Sequence, residues 1–264
     1  MSADHNADRT FECSADKRYA GCDVVRLFTG CAVLLLGLAA AAPRCFGADQ
    51  WGGSLSITSD YIVRGVSRTN YGPALQGDLH YYSGSGFVAG LFASNTKFDP
   101  EDRPDVEVDA YLGFAWTLDS DWSGRILASH YTYPWSPAGS GYDYDEFDVT
   151  VVFQEWLSAT LAYSPNAWRD LPSGDLIGVP NEVAEIGLQR PILGKLSGTA
   201  SIGYSHFAGP PQPEGYAFWS LGAAYDLAPV AILVSYVKTT PEAKALFYNV
   251  AGNWRWTGTV IWRF

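Results

Sequence analysis

The chain has 264 residues, with 28 Asp and Glu against 17 Lys and Arg. That acidic balance argues against a nucleic-acid partner, because phosphates are bound through clustered Lys and Arg. Aromatics make up 15% of the chain, with ten Trp and sixteen Tyr, yet no stretch after residue 47 resembles an unbroken spanning helix.

The N-terminal part separates from the rest. Leu27–Ala42 is apolar, follows Arg26 and is followed by small residues, which is the pattern of a secretory signal. Residues 1–47 are expected to be an N-terminal extension and signal peptide removed after Gly47, with cleavage after Ala42 as the alternative. Cys31 precedes most of the apolar run rather than following it, which argues against lipidation. All four cysteines (Cys13, Cys22, Cys31 and Cys45) fall before Ala48, so residues 48–264 hold no disulfide or cysteine metal site. Residues 1–47 carry five acids and five bases, so the net charge of −11 belongs to 48–264.

From Trp51 onward apolar and polar residues alternate. Leu75, Leu79 and Tyr81 oppose Gln76, Asp78 and His80; Val106, Val108, Ala110, Leu112, Phe114 and Trp116 oppose Glu107, Asp109 and Tyr111. Phe147, Val149, Val151 and Phe153 oppose Glu146, Asp148, Thr150 and Gln154, and Leu196–Tyr204 alternates in the same way. Period 2 marks half-buried strands, and runs of ~9–11 residues match the length of a membrane-crossing strand. Twelve strands are expected, at 53–67, 73–83, 86–98, 106–118, 122–133, 144–154, 156–165, 182–190, 196–207, 216–226, 230–238 and 254–264; one merged or split hairpin would give ten or fourteen.

Tight connections at Ser83–Gly86, Asp119–Asp121, Glu155, Pro191–Lys195 and Leu227–Pro229 alternate with longer ones at Asp99–Asp105, Pro134–Asp143, Asn166–Asn181, Ala208–Gly215 and Thr239–Asn253; Thr69–Gly72 is short. This is the alternation of periplasmic turns and external loops, and an even strand number puts both termini at the periplasmic end. Residues 241–250 read as a short loop helix. Facing is open in two strands: Phe87, Ala89, Leu91 and Ala93 compete with Val88, Phe92 and Phe98 for lipid, and His130 points either way. In the last strand Trp256, Val260, Trp262 and Phe264 share the apolar face and are expected to form the signal read by the barrel-assembly machinery. The fold class is therefore all-β, a transmembrane antiparallel up-and-down β-barrel over 48–264.

The segments Ser59-Asp-Tyr-Ile-Val-Arg-Gly-Val-Ser67, Pro73-Ala-Leu-Gln-Gly77, Ser85-Gly-Phe-Val-Ala-Gly-Leu-Phe-Ala-Ser-Asn95 and Glu107-Val-Asp-Ala-Tyr-Leu-Gly113 resemble the TorF-like family of proteobacterial porins. The resemblance covers most of 51–264, with its specific motifs in the first four strands. It implies an outer-membrane barrel of transport function and supplies no catalytic residue.

Strand-borne charges are costly toward lipid (~2–4 kcal/mol for a mid-plane Lys or Arg), so they are expected inside. The expected lumen set is Asp60, Arg64, Gln76, Asp78, His80, Glu107, Asp109, Asp148, Gln154, Glu185 and Gln189, with Arg64 pairing Asp78 or Glu107. The acid excess points to a diffusion channel for small hydrophilic solutes with a weak cation preference; the competing expectation is a lumen plugged by its own ion pairs. A barrel hydrolase would need a nucleophile beside His80, His130 or His206; Ser83, Ser129 and Thr132 are the nearby hydroxyls, and no Gly-x-Ser-x-Gly elbow exists. The acidic run Asp99–Asp105 lacks the spacing and turn glycine of an EF-hand loop. The expectation is thus no enzyme, no metal and no cofactor. The expected partners are outer-membrane lipid and lipopolysaccharide, the barrel-assembly machinery and small solutes.

Overall fold

The computed structural model describes residues 49–97, 106–136, 139–171, 175–209, 214–247 and 254–264. The expected signal segment and the acidic run 99–105 lie outside them.

Twelve strands close an antiparallel barrel. They are β1 (Gln50–Thr58), β4 (Ala74–Tyr82), β5 (Phe87–Asn95), β6 (Val106–Thr117), β7 (Trp122–Thr132), β8 (Tyr144–Phe153), β9 (Leu157–Asp170), β10 (Leu176–Leu193), β11 (Leu196–Phe207), β12 (Glu214–Asp226), β13 (Val230–Thr239) and β14 (Arg255–Arg263). Two short strands, β2 (Ile62–Val63) and β3 (Val66–Ser67), stand apart from the wall. Each wall strand pairs with its sequence neighbour, and β1 pairs with both β4 and β14, so no edge is left open. Backbone bonds between Gly53 and Phe264, 2.9 and 3.0 Å, seal the seam.

The pleat sends alternate residues to the outer face and to the lumen. Leu55, Ile57, Leu75, Leu91, Leu112, Phe114, Ile126, Leu161, Ile186, Ile202, Leu221 and Val260 stand exposed around the outside. A continuous apolar ring is not a surface that soluble monomers carry. Among the described residues, the outward strand charges sit near the barrel ends: Asp145, Glu182 and Lys238 toward the long loops, Arg190 toward the short turns. Aromatic clusters mark the same levels. Trp219, Tyr236, Trp254 and Trp256 pack together at the loop end, and Trp262 against Phe264 at the turn end.

The open facings resolve. Phe87, Leu91 and Ala93 face out, whereas Val88 and Phe92 are buried inside; Phe98 lies outside the described residues. His130 faces out and meets Asp145 at 2.8 Å. Two expectations need correction. The first strand ends at Thr58 rather than 67, and from Ser59 the chain turns inward. The connection expected over 166–181 is mostly sheet, because β9 and β10 continue past it with a register shift at Val179/Asn181. The expected short loop helix is present as α1 (Ala243–Phe247), and it closes over the lumen, burying Ala243, Leu246 and Phe247.

Candidate functional site: the lumen and its inserted hairpin

Residues 59–73 enter the barrel from the loop end. Their core is a two-residue hairpin in which Ile62 pairs Ser67 and Val63 pairs Val66. Arg64 (φ 49) and Gly65 (φ 79) form its turn. Two consecutive positive φ values are the backbone of a type I′ turn, which fits the twist of a tight hairpin and wants glycine. At Gly65 a Cβ would lie 2.2 Å from Thr239 Cγ2, so only glycine fits against the wall.

Polar contacts fasten the hairpin on several sides. Asp60 accepts from Arg255 of β14 at 2.9 Å, and from the Ser67 and Thr69 hydroxyls at 2.5 and 3.1 Å. The Tyr61 hydroxyl donates to Glu107 of β6 at 2.6 Å, and Tyr133 donates to the other Glu107 oxygen. Arg64 donates to Glu146 of β8 at 2.8 Å. The Arg68 carbonyl accepts from the Lys97 amide at 2.7 Å, and the Arg68 guanidinium lies over Trp168. Charge-assisted bonds of this kind contribute ~1.5–3 kcal/mol each. Apolar burial adds to them: Tyr61, Ile62 and Val66 join Val88, Phe92, Leu127, Trp168 and Phe247 in one buried cluster. Phe92 and Leu127 point inward because the hairpin brings apolar side chains of its own to meet them.

Register assembles the wall. Asp78, Phe92, Asp109, Tyr131 and Tyr144 lie opposite one another in sequence across five strands. Arg125, Thr150, Thr160 and Glu185 form a second row. Tyr111 lies across Gly90 and donates to Asp78 at 2.7 Å, while His80 Nδ1 meets the other Asp78 oxygen at 2.5 Å. Asp109 is fully buried, and neither of its oxygens has a hydrogen-bond partner among the described residues. Gln76 meets Ser56 and Ser94. Beneath the loops a cavity of about 30 Å³ remains, lined in part by Arg64, Arg68, Glu146, Trp168, Asn181 and Phe247.

Of the expected lumen residues, Gln76, Asp78, His80, Glu107, Asp109, Asp148, Glu185 and Gln189 are on the inner face of the wall, and Asp60 and Arg64 are on the hairpin. Gln154 is not in the lumen. It sits exposed in the turn between β8 and β9 with φ 46 and donates to Asp121 at 3.2 Å, because the strand ends one residue before it. Arg64 pairs neither Asp78 nor Glu107 but Glu146, since the inward turn carries it away from β1. Arg68, Arg125, Glu146 and Arg255 also line the interior, and sequence reading passed over them as site residues. Glu146 shares parity with Asp148 and Arg255 with Thr257, which was the available signal. His80 is held by a carboxylate, while the nearby Ser83 hydroxyl meets Ser85 at 2.7 Å. Trp256, Val260, Trp262 and Phe264 all face outward.

Among curated proteins none matches the sequence. Of solved structures, the NanC porin is similar over 80% of this chain and 98% of its own, at 12% identity and a TM-score of 0.49. The KdgM porin is similar over 81% and 99%, at 10% and 0.49. OmpF of Salmonella typhi in complex with daunomycin is similar over 82% and 97%, at 8% and 0.44. A family model described as "Bacterial protein of unknown function (Gcw_chp)" matches residues 44–262, and the chain belongs to that family.

Proposed function

We propose that this protein is an outer-membrane channel for small hydrophilic solutes, weakly preferring cations, whose throat is narrowed by the 59–73 hairpin. The carrying observation is a charged, hydroxyl-rich interior inside an apolar exterior ring. A barrel that only needed to fill itself could do so with apolar side chains, and burying charges for that purpose is expensive. Asp60, Asp78, Glu107, Asp109, Glu146, Asp148 and Glu185 outnumber Arg64, Arg68, Arg125 and Arg255 in the interior, and the buried Arg169 is paired with Glu214. Rings of carboxylates favour cations, and the arginines reduce the excess, so the preference is weak. The resemblance of segments within 59–113 to the TorF-like porins points the same way.

The hairpin favours a second reading, a closed barrel of structural or binding role, because it is fastened to β6, β8 and β14 at once. Conductance in a planar bilayer, with liposome swelling against graded solutes, separates the two. The channel reading expects small unitary currents with a cation-positive reversal potential. Folded protein, verified by heat-modifiable gel migration, that passes neither ions nor solutes would support the closed barrel.

A further inference from the structure

Arg64 differs from the other interior arginines in what surrounds it. Its guanidinium donates to Glu146 at 2.8 Å. Asp148 and Glu185, from β8 and β10, also lie within electrostatic reach of it. Its side chain is 17% exposed and lines the cavity, whereas Arg255, paired with Asp60, is 9% exposed. It is carried by a two-residue turn rather than by a wall strand. A cation on a projecting tip, facing carboxylates on the opposite wall, occupies the place that a permeating cation would take.

We propose that Arg64 is the charge-selectivity residue of the lumen: a tethered guanidinium that stands among Glu146, Asp148 and Glu185 as an internal counter-ion, which small guanidinium or ammonium ions replace when it is absent. This rests on the channel reading above. Arg125 of β7, on the inner face opposite Thr150 of β8, also bears electrostatically on Asp148. Tyr131 and Tyr144 stack on each other at 4.1 Å on the neighbouring strands β7 and β8. Without Arg64, the excess of Glu146, Asp148 and Glu185 over the remaining arginines Arg68 and Arg125 grows, and the electrostatic barrier to anions rises.

The test compares the full-length folded protein with Arg64→Ala and Arg64→Lys in planar bilayers under a KCl gradient, with guanidinium chloride as the probe. Arg64→Ala is expected to shift the reversal potential toward the cation limit. Arg64→Lys is expected to return it toward the parent value. Millimolar guanidinium is expected to block Arg64→Ala more strongly than the parent. Where Arg64→Ala fails to show heat-modifiable migration, Glu146→Gln serves instead, and its reversal potential is expected to move toward the anion side. Currents whose selectivity and guanidinium block are unchanged by these substitutions would overturn the role of Arg64 while leaving the channel standing. Silence from folded parent and variants alike would overturn the channel and this role with it.

Discussion

Asp60 and Arg255 are 195 positions apart in the chain and 2.9 Å apart in the lumen. Arg255 opens the last wall strand, and Asp60 opens the segment that leaves the first. Their contact therefore joins the barrel seam to the hairpin inside it. Both side chains are buried, and a buried charge left without its partner costs about 3–5 kcal/mol. Arg255→Ala is expected to release the hairpin and to lower the urea midpoint of unfolding from lipid vesicles. An unchanged midpoint together with unchanged conductance would show that the pair does not hold the hairpin.

Gly65→Val tests the turn itself. Its φ of 79 is unfavourable for a branched side chain, and its Cβ would collide with Thr239. The combined strain is about 1–3 kcal/mol or more. The hairpin carries Arg64 and Arg68, both trypsin sites and both shielded in the barrel. External trypsin is expected to cut the variant at these residues and to leave the parent intact; equal resistance would place the turn under no such constraint.

Two glycines of the wall predict opposite outcomes. A Cβ on Gly90 would sit 2.3 Å from the Tyr111 hydroxyl, displacing the ring that holds Asp78. A Cβ on Gly258 would meet nothing within 4 Å. Gly90→Ala is expected to lower the temperature at which gel mobility converts from folded to unfolded, and Gly258→Ala to leave it unchanged.

The wall was legible from period 2, because an apolar outer face and a polar lumen impose opposite chemistry on alternate residues. Leu112 against Tyr111 and Val149 against Asp148 show this directly. Where the rule failed in the lumen, the hairpin was the cause. Ser59–Ser67 is rich in strand formers (Tyr61, Ile62, Val63 and Val66), so it read as an extension of the first strand, and the Arg64-Gly65 turn signal was passed over. Once that segment enters the lumen, Val88, Phe92 and Leu127 become interior residues despite their apolar character, and Arg64 finds Glu146 instead of a neighbour on β4 or β6. Gln154 was misplaced by a single residue at a strand end, where alternation stops reporting direction.

The exterior ring predicts a depth dependence. Leu112, midway along β6, is 57% exposed on the outer face. Leu112→Arg is expected to cost about 2–4 kcal/mol in vesicle-folding equilibria, while arginine at outward-facing Asp145 near the loop end should cost about 0–1 kcal/mol. Equal effects at both positions would mean that this face does not meet hydrocarbon.

The most direct measurement is single-channel conductance of the folded parent beside a variant in which residues 61–71 are replaced by a short Gly-Ser linker. A channel narrowed by its hairpin gives small, cation-preferring currents in the parent and clearly larger ones in the variant. Folded protein that stays silent in both forms would contradict it.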